Sequence, residues 1–241
     1  AKNDLKYSDD AALERVNRFA EAWSYYLIKA SADLAAEQGA CLLSKNTKYA
    51  EGILPVDTYK TEVDELVSKK LHMPWESLRK QLRETGIRNA TLMAIMPAET
   101  SAQISNSTNG VEPPRSYVSV KQSKDGALKQ VVPQFKRLKN KYELLWDQRS
   151  PEGYLKIMAV LQKYIDQSIS VNTSYNPQFY DEEKIPMSEM IRHVIMCYKY
   201  GIKTLYYFNT YDGQGELDVA KTLVELGTTV ESQAECESCV I

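Results

Sequence analysis

Long apolar runs are missing from this chain of 241 residues; none approaches the ~20 residues that a helix needs to cross a bilayer. The first ten residues, AKNDLKYSDD, lack the pattern of a signal peptide. An excess of one charge is missing too. Thirty Lys and Arg face 32 Asp and Glu, a net charge of -2, so no broad nucleic-acid face is expected and a nucleotide-sized anion must be held by a local site. Histidine is scarce: His72 and His193 are the only two, neither has a partner at ligand spacing, and each reads as a surface or satisfied buried residue. Cysteine is scarce as well. Cys41, Cys197, Cys236 and Cys239 do not make a secreted disulfide framework, and without an export signal the expected location is cytoplasmic. In that setting a C-x-x-C pair suggests redox chemistry or a metal.

What is present is ordinary for a soluble globular protein: 43% apolar and 26% charged residues, and length enough for one domain with appendages. Ser8, Asp9 and Asp10 read as a helix start, followed by an apolar stripe of Leu13, Val16, Phe19, Ala20, Trp23, Leu27, Ala30 and Leu34 up to Gly39. Helices are expected over about 59–70 and 74–85, the latter burying Trp75, Leu78 and Leu82. The run 90–96, closed by Pro97, reads as a buried strand, and a turn then enters a helix. Tyr117–Lys121 and Leu128–Val132 read as a hairpin turning at Asp125-Gly126. Further helices are expected at about 134–146, at 152–169 (lined by Leu155, Met158, Leu161, Ile165 and Ile169), and from Pro186 to Gly201. Ile202–Phe208 reads as a strand, and residues 211–241 have no apolar periodicity. Two strands and a hairpin are too few to close a barrel, so the pattern suits the edge of a larger α/β barrel.

Three places carry candidate chemistry. A helix starting at Thr100 or Ser101 aims free N–H groups at the end of the preceding strand; on local sequence this is an ordinary cap, with an anion site as the alternative. Tyr206-Tyr207 is weak evidence alone, because the chain has 16 tyrosines and a second pair, Tyr25-Tyr26, that reads as structural. Neighbours on a strand point to opposite faces, so the simple reading has one of the two buried. Cys236-Glu237-Ser238-Cys239 is either half a zinc site, two idle thiols, or a dithiol suited to exchange. Cys41 and Cys197 read as buried and unreactive.

The spacing W-E-S-L, seven residues, G-I-R-N, three residues, M-A-I-M-P over residues 75–97 resembles the signature of class I ribonucleotide reductase large subunits at every defined position. The following P-A-E-T-S-A-Q-I-S-N-S-T-N-G-V-E-P-P is similar to that family, as are G-I-L-P-V-D-T-Y, D-Q-S-I-S-V-N-T-S-Y and K-T-L-Y-Y-F-N-T. The resemblance implies an α/β fold: the C-terminal portion of a ten-stranded α/β barrel over residues 1–210, mostly helical by residue count, with a β-hairpin. Residues 211–241 would be a flexible redox-active tail.

The same resemblance implies roles. Pro97, Ala98, Glu99, Thr100 and Ser101 would cradle the diphosphate of a ribonucleoside diphosphate, Glu99 through its backbone. Tyr206 and Tyr207 would pass an electron and a proton from a small subunit, the carrier of a di-iron tyrosyl radical, toward an active-site cysteine. Cys236 and Cys239 would re-reduce the site and be restored by thioredoxin or glutaredoxin, although many bacterial relatives have four residues between these cysteines where this chain has two. The helix before the tyrosine strand is a candidate dock for the small subunit's C-terminal peptide. No cofactor, nucleic-acid or membrane partner is expected for this chain itself.

The family's radical cysteine lies in N-x-C-x-E, which does not occur here. The chain is therefore expected to be one piece of a split subunit, working with an N-terminal portion of the large subunit. The competing reading is a non-catalytic thiol-redox or interaction module.

Overall fold

The computed structural model describes residues 1–123 and 126–213. Its first helix, α1 (Asp10–Gln38), is capped at Asp9 rather than Ser8; the Asp9 carbonyl accepts from Ala12, and its carboxylate from the Lys6 amide at 2.7 Å. The buried face differs from the expected stripe. Leu13 and Ala20 are buried, but Phe19 is 65% exposed, Ala30 and Leu34 are exposed, and Val16, Trp23 and Leu27 are half-buried. Asn17, Glu21, Ser24 and Ser31 lie on the buried face instead. Each is bonded: Asn17 Oδ1 accepts from Tyr164, Ser24 donates to the Tyr164 carbonyl, and Ser31 donates to Asn89. Apolar periodicity is blind to polar residues whose partners arrive from distant chain.

Those polar side chains also explain why the expected helix at 59–70 shrinks to a 3-10 turn, Thr61–Glu65, preceded by a short α2 (Pro55–Thr58). Glu14 accepts from the Ser68 amide, and Glu21 from the amides of His72 and Met73, so residues 68–73 lie along α1 and their backbone bonds go to its side chains. Helix α3 (Trp75–Thr85) forms as expected, buries Trp75, Leu78 and Leu82, and ends at Gly86 with φ 72°.

The run 90–96 is extended but pairs through one parallel bridge, Ile95 to Ile169. The amides of Leu92 and Met93 donate to Asp166, which also accepts from Tyr49, and are thereby withdrawn from any ladder. Helix α4 (Glu99–Ile104) follows. The expected hairpin is present as antiparallel β1 (Val118–Ser123) and β2 (Gly126–Val131), with Ser123 opposite Gly126; Asp125 lies outside the described residues. The helix expected at 134–146 is only α5 (Phe135–Leu138) and two 3-10 turns.

Helix α6 (Glu152–Gln162) is buried nearly all round and packs on α1. Gly153 lets the start of α6 approach the chain just before α1: a Cβ there would stand 2.7 Å from the Tyr7 carbonyl oxygen. Leu155, Met158, Leu161, Ile165 and Ile169 are all buried, yet the helix stops at Gln162, well short of 169. The carbonyls of Ile165 and Gln167 accept from Gln162 Nε2, and those of 165–167 from Lys203 Nζ, so side-chain donors replace the next helical turn. The chain then enters β3 (Val171–Tyr175), a strand the sequence reading missed. Helix α7 (Met187–Lys199) leads to β4 (Leu205–Thr210), parallel to β3.

The α/β character and the excess of helix over strand therefore hold, but a ten-stranded barrel is not formed among the described residues. They contain the hairpin and three parallel extended segments side by side, around residue 95, β3 and β4. No helix among them is long and apolar enough to cross a membrane.

Candidate functional site

The β3–β4 ladder carries an irregularity where the two tyrosines sit. Val171 pairs with Leu205 and Thr173 with Phe208, so Tyr206 and Tyr207 together oppose the single residue Asn172. A bulge of this kind breaks strict alternation. The expectation that one tyrosine is buried is thus corrected: Tyr206 is 52% and Tyr207 56% exposed, and their ring centroids are 4.2 Å apart at 52°. Tyr207 donates its hydroxyl hydrogen to the Tyr206 oxygen at 3.4 Å. That bond and the neighbouring Tyr206 phenol raise the Tyr207 pKa above its ordinary value.

The second candidate follows the extended segment at 93–95, whose carboxyl end leads to Pro97 on the same side as the ends of β3 and β4. Open α/β sheets place ligands beyond such ends. Helix α4 begins at Glu99, one residue earlier than expected, with Ala98 as its cap residue. The Ala98 amide donates to Asn109, and Ser101 donates to the Ala98 carbonyl. Pro97, Thr100 and Ser101 are exposed, and Ser105 and Ser107 meet at 2.8 Å beside them. This is an open hydroxyl- and amide-rich turn.

Cys236 and Cys239 lie outside the described residues. Cys197 is buried, as expected, and burial pushes its thiol up to about 11; Cys41 is half-exposed, contrary to expectation. Both histidines have partners. His72 lies beside Glu21, and His193 is fully buried between Tyr175, Ser150 and Arg192. Arg192 can only donate, so His193 Nε2 accepts and Nδ1–H donates to Tyr175, a neutral form that burial favours by lowering the imidazole pKa. No group of three metal-binding side chains occurs among the described residues.

A family model for the ribonucleotide reductase barrel domain matches residues 1–208. The chain belongs to this family. Among curated relatives of this barrel domain, the alpha subunit of ribonucleoside-diphosphate reductase from Haemophilus influenzae is 55% identical over 213 residues, 88% of this chain and 28% of the relative. The Escherichia coli subunit 1 alpha is 52% identical over the same shares, and that of phage T4 is 42% identical over 90% of this chain and 29% of its own length. The chain thus spans less than a third of the length of these large-subunit relatives.

Sequence reasoning passed over several residues that shape this structure. Glu21 is a buried carboxylate accepting from two amides and from Trp75 Nε1. Asn17, Glu21, Ser24 and Ser31 recur at helical spacing, which was the signal available for it. Asn172 and Glu112 carried no such signal, because they meet across 60 residues of chain.

Proposed function

We propose that this chain is a working component of ribonucleoside-diphosphate reductase, the enzyme that makes deoxyribonucleotides from ribonucleotides by a radical route. The observation that carries the proposal is the Tyr206–Tyr207 pair: two exposed phenols in ring contact, on a strand of a barrel domain of this family. A tyrosine can release its hydroxyl hydrogen, as an electron and a proton, and regain it with little heavy-atom movement. Two phenols in contact can relay that change. The pair would accept it from a small subunit carrying a di-iron tyrosyl radical and pass it inward to a cysteine on the remainder of the large subunit, within the complete ten-stranded barrel.

Residues 97–101 would hold the substrate diphosphate through backbone N–H groups and the hydroxyls of Thr100 and Ser101. The exposed turn and the dipole of the helix start suit an anion. The electrons for each turnover would come through Cys236 and Cys239 from thioredoxin or glutaredoxin. The assignment is tested by reconstitution. The purified chain alone should not reduce CDP, since it lacks N-x-C-x-E, whereas adding the remainder of the large subunit and the small subunit should give turnover. CDP reduction by the chain alone would overturn it.

Helix α7 presents Met187, Ile191, Val194, Ile195 and Tyr198 outward, and Ile195 is 61% exposed. The buried positions are His193 and Cys197, and the apolar stripe faces outward from the described residues. It is proposed as the dock for the small subunit's C-terminal peptide, laid against an apolar groove. Ile191→Asp and Ile195→Asp should weaken small-subunit binding at least about tenfold each, roughly 1.4 kcal/mol, without unfolding the chain. Unchanged affinity in a titration of both variants would remove α7 from the interface.

A further inference from the structure

The bulge that brings the tyrosines together is held by side chains that no step of the proposed relay uses. Asn172 is the single β3 residue facing Tyr206 and Tyr207. Its Oδ1 accepts the Tyr207 backbone N–H at 3.1 Å, and its Nδ2 donates to Glu112 Oε1 at 2.6 Å. The anchor continues further. Tyr7 donates its hydroxyl to the carbonyl of Val111, the residue before Glu112, at 2.8 Å, and the Tyr7 amide donates to Glu143 at 2.7 Å. The Tyr7 side chain is half-buried, and desolvation and the nearby Glu143 and Glu112 carboxylates push its phenol well above the ordinary range.

We infer that Asn172, oriented by Glu112, is a positioning residue for the tyrosine pair: it latches the bulge through the Tyr207 amide and so sets the ring contact. A bulge disrupts the local ladder, and the amide it displaces needs another acceptor. A side chain reaching across from the opposed residue supplies one here without restoring regular pairing. An amide side chain fits because it accepts on one end and donates on the other. Glu112 then fixes which end faces Tyr207, since a carboxylate can only accept and must take the Nδ2 end. Without the latch, β4 can slip toward regular alternation. That would turn one ring to the other face and open the 4.2 Å contact.

The inference rests on the radical-relay reading for its purpose, but the latch itself can be measured without turnover. In the full chain, amide hydrogen exchange by NMR should show Tyr207 protected. Asn172→Ala should lose that protection by at least about tenfold while α1 and α6 stay protected. In the reconstituted enzyme the same variant should lower kcat about ten- to a hundredfold with KM for CDP unchanged, the expected cost of a misplaced reacting group. Glu112→Ala should show a partial defect, and Glu112→Gln, which keeps an acceptor for Asn172 Nδ2, should restore it. Wild-type protection at Tyr207 in Asn172→Ala would overturn the latch. Lost protection with unchanged kcat would overturn the positioning role, as would a rise in KM or loss of protection throughout the chain. Tyr207→Phe distinguishes the two levels: turnover retained there would refute the relay, whereas the exchange result would still decide the latch.

Discussion

Replacing Tyr207 by Phe should cut CDP turnover in the assembled enzyme at least roughly a thousandfold, ~4 kcal/mol in barrier height, with substrate affinity almost unchanged. Tyr206→Phe should do the same. The ring stays in both variants, and both positions are about half exposed, so little packing is lost. The only hydrogen bond removed between them is 3.4 Å long, too long to contribute much stability. What disappears is the hydroxyl hydrogen itself. A phenylalanine cannot be oxidised by a neighbouring tyrosyl, so the proposed relay would stop at that position. The effect belongs in kcat, because neither ring is expected to touch the diphosphate. The check is steady-state kcat and KM for CDP beside a binding measurement for CDP. Turnover near wild type in either variant would refute the relay.

A loss of comparable size, but of different kind, is expected for the double variant Cys236→Ser and Cys239→Ser. On the proposed assignment, each ribonucleotide reduction would consume two electrons and leave a disulfide in the active site. Cys236 and Cys239 would restore it by exchange: one thiolate attacks the disulfide, a mixed disulfide forms, and the second thiol resolves it, so that the pair takes over the disulfide. With serines the first turnover should proceed, since the active-site dithiol starts reduced, and every later one with thioredoxin should stop. Dithiothreitol, small enough to enter the site, should recover part of the rate. Stoichiometric zinc on the reduced wild-type chain would favour the metal reading of the pair over the exchange reading.

The parts of this molecule that were legible in its sequence are those decided locally. The helix start near residue 9, the Trp75–Leu78–Leu82 face of α3, the hairpin whose second strand starts at Gly126 and the Gly201 stop after α7 all follow from spacing and turn chemistry within a few residues. The illegible parts were decided by distant partners. Lys203 and Gln162 end α6 by capturing carbonyls, so the helix expected to reach 169 stops at Gln162, and β3 follows at 171, where no strand was expected. Glu21 and Glu14 straighten residues 68–73. The two tyrosines were legible as a family motif, but their shared face was not, because it depends on a bulge set by Asn172 from β3. The exposed stripe of α7 could not be told from core by periodicity, since both obey the same 3.6-residue rule.

The most direct measurement is product formed by the pre-reduced reconstituted enzyme with no thioredoxin. The Cys236→Ser, Cys239→Ser variant should form about one deoxynucleotide per active site, wild type up to about twice that because its reduced pair can restore the site once, and Tyr207→Phe should form none. Deoxynucleotide from Tyr207→Phe, or none from the cysteine variant, would contradict the assignment of these residues to radical relay and re-reduction.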